Sequence, residues 1–428
     1  MQSPLAIRSA VNAQRNLVEG LLVRLADGSR AKKGVTRDSY GLGENHGHQL
    51  MSQYAARAGL EVHTDAAANT YATMPGQVRN LPRVIIGSHL DSVPEGGNFD
   101  GAAGVVAGLG CLAALAELGI CPHRDITVMA IRAEESVWFE QSYIGSRSAL
   151  GMLPSQALEA KRIDTRRSLA THIAECGGNP DIIRLGRPLM EISNIHTFVE
   201  LHIEQAPSLV EANKAVGIGT SIPGNFRYPN ATILGRYDHV GTPRRFRSDA
   251  AMAASEFAIA LDRLWEVREK EDIPMAITLG RFHTNPLLHG MTSVPGEFSF
   301  SLDVRAHDKN VLSEIERDVL AISCEISKIR DVKFVFGERA QANIGVMCPK
   351  IIVDLERVAE ELDIPIIRLA SPASHDAAAF AAAGVPVGMI FIRNTNGSHN
   401  PKEHMDVSDL LDGASVLTRW LLACSKCD

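Results

Sequence analysis

His89 and Asp91 stand two positions apart at the end of the apolar run Val84-Ile85-Ile86-Gly87-Ser88, and Asp100 follows within Gly96-Gly97-Asn98-Phe99-Asp100-Gly101. A histidine and two carboxylates delivered by one buried strand are donor types that a divalent cation or a proton transfer needs. In His-x-Asp the aspartate can accept the second ring N–H, which fixes the tautomer of a metal-bound histidine and raises its basicity. Taken alone, His89 reads as a hydrogen-bonded strand-end residue and Asp100 as a turn carboxylate. Asp91 shifts the balance toward a metal site, with Asp100 as a carboxylate suited to bridge two cations.

A second apolar run, Ile126 to Ile131, leads into Arg132-Ala133-Glu134-Glu135. Adjacent carboxylates are ordinary on a solvated helix. Behind a buried strand they are penalised unless a cation or proton neutralises them, so this pair predicts one metal ligand and one general base. His202, in the alternating run Phe198 to Gln205, reads singly as an inward strand residue, and His399, in Gly397-Ser398-His399-Asn400-Pro401, as a surface turn. Every one of these candidates nevertheless lies at the edge of an α/β element. Imidazole plus carboxylate suits zinc, manganese, nickel or cobalt.

The elements that must position these groups follow from periodicity. Helical spacing runs from Asn12 to Leu25 and from Glu44 to Leu60, the latter leading into a strand at Glu61-Val62-His63-Thr64. Strands near 83–88 and 126–131 flank a small-residue helix from Ala102 to Leu118, a βαβ unit that implies a mostly parallel sheet with its site at the strands' C-terminal ends. Past Val210 a strand at 231–236, a helix from Asp249 to Lys270, a strand at 298–305, a helix to Arg330 and a strand at 332–336 predict an inserted α+β unit. The α/β grammar then resumes with a helix at 351–362, strands at 364–369 and 385–392 and a terminal helix at 408–424. The expected organisation is a discontinuous α/β catalytic domain, 1–213 and 333–428, around an inserted lid or dimerisation domain, 214–332.

Composition narrows the function further. With 428 residues, 45% hydrophobic and 22% charged, the chain is long enough for at least two domains. No apolar run approaches the roughly 18 residues of a membrane span, and the N-terminus lacks the pattern of a secretory leader, so a cytosolic location is expected. A net charge of −7 argues against nucleic acid as a partner and for a small molecule. Seven scattered cysteines lack zinc-finger spacing, and most are expected to be buried thiols. Cys424 and Cys427 form a C-x-x-C pair that chance accounts for.

Taken in order, G-S-H-L-D-S-V-P-x-G-G-x-F-D-G at 87–101, Glu134-Glu135, Gly145-Ser146-Arg147, E-L-H-I-E-Q at 200–205, S-H-D-A at 374–377 and G-S-H-N-P at 397–401 resemble the metal-dependent amidohydrolases. That family includes N-carbamoyl-L-amino-acid hydrolase, allantoate amidohydrolase and β-ureidopropionase, and the resemblance spans nearly the whole chain. It implies two divalent ions, with zinc first and manganese, cobalt or nickel as alternatives. Asp100 would bridge them, His89 and His202 would hold one ion, and Glu135 and His399 the other. Glu134 would be the base, taking a proton from an activated water and returning it to the leaving nitrogen. Asp91 would support that chemistry, and His239 would stabilise the oxyanion from the partner subunit of a homodimer. Arg305 looks like the clamp for a substrate carboxylate, with Gln205 as a further polar contact.

Departures from the pattern fall in the pocket. Thr292 replaces the family's substrate-binding asparagine, the His239 segment is one residue shorter, and Ala206 replaces a glycine. Arg393 and Asn394 add polar groups before the His399 loop, as candidate contacts to an acyl or carboxylate group. The predicted activity is cleavage of a C–N bond in a small N-carbamoyl, ureido or N-acyl amino acid. An aminoacylase or dipeptidase-like activity is the alternative, separable by release of a carboxylic acid instead of ammonia and carbon dioxide. A binding protein of the same fold is the other alternative, against which the retained base and five ligands argue.

Overall fold

The structure, a computed structural model, describes residues 2–424, so Met1 and the Cys427 half of the terminal C-x-x-C lie outside the described residues. Two compact units divide the chain: one takes the segments up to Thr220 and from Gly345, the other takes Ser221–Ile344.

The larger unit is built on an eight-stranded sheet, ordered Glu61–Thr64, Thr70–Met74, Ile126–Ile131, Arg83–His89, Ile195–Ile203, Val387–Ile392, Val216–Gly219 and Ile366–Leu369. Its central strands, 126–131, 83–89, 195–203 and 387–392, all run parallel. A parallel strand covered on both faces must be apolar on both, which is why Arg83–His89 and Ile126–Ile131 show continuous rather than alternating hydrophobicity. Val84, Ile85 and Ile86 are essentially fully buried, each worth about 1.5–3 kcal/mol of transfer free energy. Ile86→Ala should therefore cost about 2–5 kcal/mol.

The helix Ala102–Glu117 packs on this sheet with nearly every residue buried. Its small side chains let it lie close: a Cβ at Gly104 would stand 2.0 Å from the carbonyl oxygen of Leu201. Helices Arg15–Asp27, Leu42–Arg57, Pro349–Glu361 and Val407–Cys424 contribute buried apolar residues to the same core. The helical run expected from Asn12 breaks into Pro4–Ala13 and Arg15–Asp27 at Gln14, whose ψ is 2° and whose side-chain amide donates to the carbonyl of Ala10.

The smaller unit is α+β. Its antiparallel sheet runs Met275–Thr278, Glu297–Ala306, Gly224–Leu234 and Lys333–Val335, with Phe282–Thr284 and Ala340–Ala342 pairing alongside. Glu297–Ala306 alternates strictly, so Phe298, Phe300, Leu302 and Val304 enter a core completed by helices Ala250–Lys270 and Lys309–Arg330. Asp249 and Asp308 cap those two helices through their carboxylates. The opposite face of the strand carries Asp303 and Arg305.

Two expectations need correction. The boundaries at 213/214 and 332/333 both lie further along the chain: Val216–Gly219 is a strand of the larger sheet beside Ile366–Leu369, and Lys333–Val335 and Ala340–Ala342 both pair with Gly224–Leu234 in the smaller one. Such short segments carry no periodicity of their own, and partners distant in sequence decide which sheet they join. Nor are most thiols buried. Among the described residues Cys111 alone is fully buried, while Cys121 and Cys324 are exposed, because Cys121 follows a helix end and Cys324 sits on an outward helical face. None of the described helices is long and apolar enough to cross a membrane.

Candidate metal centre

Side chains converge where the central parallel strands end. His89 closes the strand Arg83–His89, His202 is the penultimate residue of Ile195–Ile203, Glu134 and Glu135 follow Ile126–Ile131, and His399 lies in the loop after Val387–Ile392. Asp100 sits in the turn that starts the helix Ala102–Glu117. The turn requires Gly101, whose φ is +65° and where a Cβ would stand 2.5 Å from the His89 ring.

The two buried histidines are oriented by acceptors at their backs. His89 Nδ1 donates toward Asp91, 3.1 Å from its carbonyl oxygen and 3.2 Å from Oδ1. His202 Nδ1 donates to the carbonyl of Ile203 at 2.8 Å. A carbonyl only accepts, so in both rings Nδ1 carries a hydrogen, and each ring in its neutral form presents a lone pair at Nε2. Those Nε2 atoms are 3.4 Å apart and lie 3.5 and 3.1 Å from Asp100 Oδ1. Two lone pairs and an anionic oxygen facing one another at these distances call for a shared cation or proton.

The second oxygen of Asp100 faces a different set. Asp100 Oδ2 is 3.1 Å from His399 Nε2, which is itself 3.4 Å from Glu135 Oε1, and it accepts from Gln205 Nε2 at 2.9 Å. His89, Asp100 and His202 thus form one group able to hold an ion, and Asp100, Glu135 and His399 a second. This donor set of neutral imidazoles and carboxylates, with one carboxylate common to both groups, fits a pair of divalent cations.

Asp91 organises the centre in a way that the His-x-Asp spacing only half reveals. Besides orienting His89, its carboxylate accepts from the amides of Glu134 at 3.0 Å and Glu135 at 3.1 Å and from the Ser39 hydroxyl at 2.6 Å. The turn before the paired glutamates is tight, with Ala133 at φ +51°. Glu44 holds it by accepting from the amide of Ala133 and from Arg132.

Electrostatics follow burial. Desolvation raises the Glu134 carboxyl well above its usual range, opposed by the charge of His89. Burial also lifts Glu135 to about 7, with the Asp100 charge adding to it. The hydrogen bond to Asp100 raises His399 to about 9. For His89, burial pulls down but the bonds to Asp100 and Asp91 win and raise it well above normal. A buried carboxylate whose affinity for a proton is raised by desolvation is better suited to take a proton from water than a solvated one.

The other sequence candidates lie in the smaller unit. His239 belongs to the short strand Asp238–His239, paired with Ser293–Val294, and Val240 donates to the Thr292 carbonyl at 3.0 Å. His239 Nδ1 accepts from the amide of Gly241 at 3.1 Å, so Nε2 carries the ring hydrogen and is a donor. Arg305 donates to Asp303 at 3.1 and 3.3 Å, and Arg227 donates to the same carboxylate at 2.7 Å. The two guanidiniums thus share the Asp303 carboxylate.

Arg393 and Asn394 have local duties instead of open contacts. Arg393 forms a two-pronged ion pair with Asp409 at 2.8 and 3.1 Å, and Asn394 accepts from the amide of Gln205 and donates to the carbonyl of Gly397. Sequence reasoning missed Arg37, Glu200, His375 and Glu403. Glu200, buried, accepts from Ser88 at 2.8 Å and from the amide of Ala377 at 2.8 Å. His375 packs its ring 4.3 Å from that of His202. The S-H-D-A motif was the available signal for His375. For Arg37 and Glu403 there was none.

The family model described as peptidase family M20/M25/M40 matches residues 85–423. The N-carbamoyl-L-amino acid amidohydrolase of Geobacillus stearothermophilus is 35% identical over 401 residues, covering 92% of this chain and 95% of that protein. The allantoate amidohydrolase of Escherichia coli K12 is 29% identical, covering 95% and 97%. Among solved structures, AtUAH in complex with (S)-hydroxyglycine superposes with a TM-score of 0.82 at 26% identity, over 98% of this chain and 99% of that one. An amidase of the hydantoinase/carbamoylase family from Burkholderia multivorans gives 0.83 at 26%, over 96% and 97%.

Proposed function

We propose a function for this chain from one premise: it belongs to peptidase family M20/M25/M40. It is a hydrolase of amide C–N bonds, and its substrate is a small N-carbamoyl or ureido amino acid bearing a carboxylate. The observation that carries this reading is the convergence of two Nε2 lone pairs, both Asp100 oxygens and Glu135 beside the buried carboxyl of Glu134. His89, His202 and Asp100 would hold one divalent ion and Asp100, Glu135 and His399 a second, with zinc the first choice. Such ions lower the pKa of a bound water and polarise a carbonyl.

The protein's own groups do the rest. Glu134 accepts the water's proton and passes it to the departing nitrogen, for which its raised affinity for protons suits it. Gln205 Oε1 is buried with no hydrogen-bond partner among the described residues, an acceptor suited to a ureido N–H. Arg305 is the proposed clamp for the substrate carboxylate, its guanidinium oriented by Asp303, which Arg227 also binds. His239 is the proposed oxyanion donor through Nε2, supplied across a homodimer, and Thr292, whose carbonyl accepts from the amide of Val240, is proposed to shape the pocket beside it. The proposed location is the cytoplasm.

The test is a screen of carbamoyl, ureido and acyl amino acids with zinc, manganese, cobalt or nickel supplied. Ammonia with carbon dioxide is the expected product, lost on chelation and restored by metal. Release of a carboxylic acid from acyl substrates alone would transfer the assignment to the aminoacylase class. Mixed dimers of His239→Ala and Glu134→Gln subunits should recover partial activity, and no recovery would place each site within one protomer.

A further inference from the structure

One buried carboxylate that ligates no ion in the arrangement above ties together the two loops carrying Asp100 and His399. Glu403 Oε1 accepts from the amide of Phe99 at 2.9 Å and from the amide of Asp100 at 3.2 Å, while Oε2 accepts from the Ser398 hydroxyl at 2.6 Å. Ser398 Oγ lies 3.1 Å from Asp100 Oδ2. The His399 loop is closed at its root by reciprocal backbone bonds between Thr395 and His404, of 2.8 and 3.1 Å, and Glu403 sits just inside that closure. Arg37, fully buried, backs the other loop by donating to Leu90 O at 2.7 Å and Asn98 Oδ1 at 3.0 Å, and its charge acts favourably on Glu403.

Burying a carboxylate is costly unless donors and charge compensate it. Here two amides and a hydroxyl from segments that carry an ion ligand do so, together with a guanidinium that donates into the Asp100 loop. His399 needs such a brace: its side chain is 51% exposed and its backbone is left-handed at φ +57°. We propose that Glu403 is a positioning residue that sets the register between Asp100 Oδ2 and His399 Nε2, and thereby the affinity for the ion held by Asp100, Glu135 and His399. The proposal rests on the two-ion reading given above.

Glu403→Gln tests it. Glutamine keeps an oxygen for the Phe99 and Asp100 amides but cannot accept from Ser398. Wild type and variant, stripped with a chelator, are titrated with zinc by calorimetry and their bound ions counted by mass spectrometry. Wild type should bind two ions. E403Q should bind one as wild type does and the other about 10–100-fold more weakly, with kcat recovered by excess zinc and KM unchanged. Two ions at wild-type affinity in E403Q, with only the melting temperature lowered, would overturn the assignment to Glu403 alone. A single ion in the wild type would overturn the two-ion reading with it. Should E403Q fail to fold, Ser398→Ala runs the same titration: a smaller weakening confined to one ion supports the brace, and two unchanged ions remove it.

Discussion

His89 and His202 reach the centre from strand ends, whereas Glu135 and His399 reach it from loops. The difference runs through every contact they make. Both strand-borne rings are buried and anchored from behind by backbone carbonyls, so their lone pairs are aimed before any ion arrives. His399 is half exposed, and among the described residues its ring contacts run through Nε2 alone, to Asp100, Glu135 and Gln205. Preorganised ligands lose little freedom on binding, while a loop ligand must be fixed at the moment of binding. The inner half should therefore be the tight site and the outer half the exchangeable one, with Glu134 serving both.

The largest effect belongs to Glu134, which neither half contains. Glu134→Gln should lower turnover by about 10²–10⁴-fold while the bound metal count stays at the wild-type value. Activity that survives would place the base elsewhere. Next come the ligands themselves. His202→Ala should abolish tight binding outright, because its loss leaves His89 and Asp100 Oδ1 with too few donors. His399→Ala should spare the tight ion and weaken only the exchangeable one, by more than the roughly 10–100-fold that removal of a supporting partner costs. Metal titrations of the two variants that look alike would erase the distinction between the halves. Asp91→Asn stands below them. It keeps the fold of the strand but disturbs the acceptor shared by His89 and the Glu134 and Glu135 amides, so both ions should weaken together by about 10–100-fold.

How far this asymmetry was legible in the sequence depends on what carries it. Strand-borne donors announce themselves, since a continuous apolar run such as Val84 to Gly87 ending at His89 is rare enough to be informative, and the run Ile126 to Ile131 likewise flags the glutamate pair in the loop that follows it. The parallel sheet, the long helices and the inserted unit were readable from the same periodicity. Loop contacts were not. Glu403 stands 303 residues from Asp100, in a Pro-Lys-Glu-His stretch with the composition of any surface turn. Arg393 was misread for the same reason, because its partner Asp409 lies on the terminal helix and only folding brings the two together. Unit membership of Val216–Gly219 and Lys333–Val335 was likewise decided by ladder partners far along the chain. Sequence periodicity reports how an element meets the core, and it is silent on which loops meet one another.

Acidity offers the finest probe of the exchangeable half. In the chelated protein the bond to Asp100 raises His399 to about 9, and burial lifts Glu135 to about 7. An ion needs the neutral ring and the ionised carboxylate, so both protons must leave before binding. Above pH 7 Glu135 is mostly ionised and His399 alone remains to be deprotonated. Affinity for the outer ion should therefore climb by about tenfold per pH unit between 7 and 9 and level off beyond, with close to one proton released per ion. Folding of the chelated protein runs the opposite way. A raised histidine stabilises it fully below the ordinary value near 6.5 and loses that contribution as pH passes 9, while burial of Glu135 costs stability once pH exceeds its ordinary carboxylate range. Melting curves of chelated protein should thus fall from pH 6 to 9, and curves with saturating zinc should fall less or rise. Calorimetric titrations in two buffers of different ionisation enthalpy count the protons directly. An outer-ion affinity that is flat across this range would mean that His399 is not a ligand, and the loop-borne half would then rest on Glu135 and Asp100 alone.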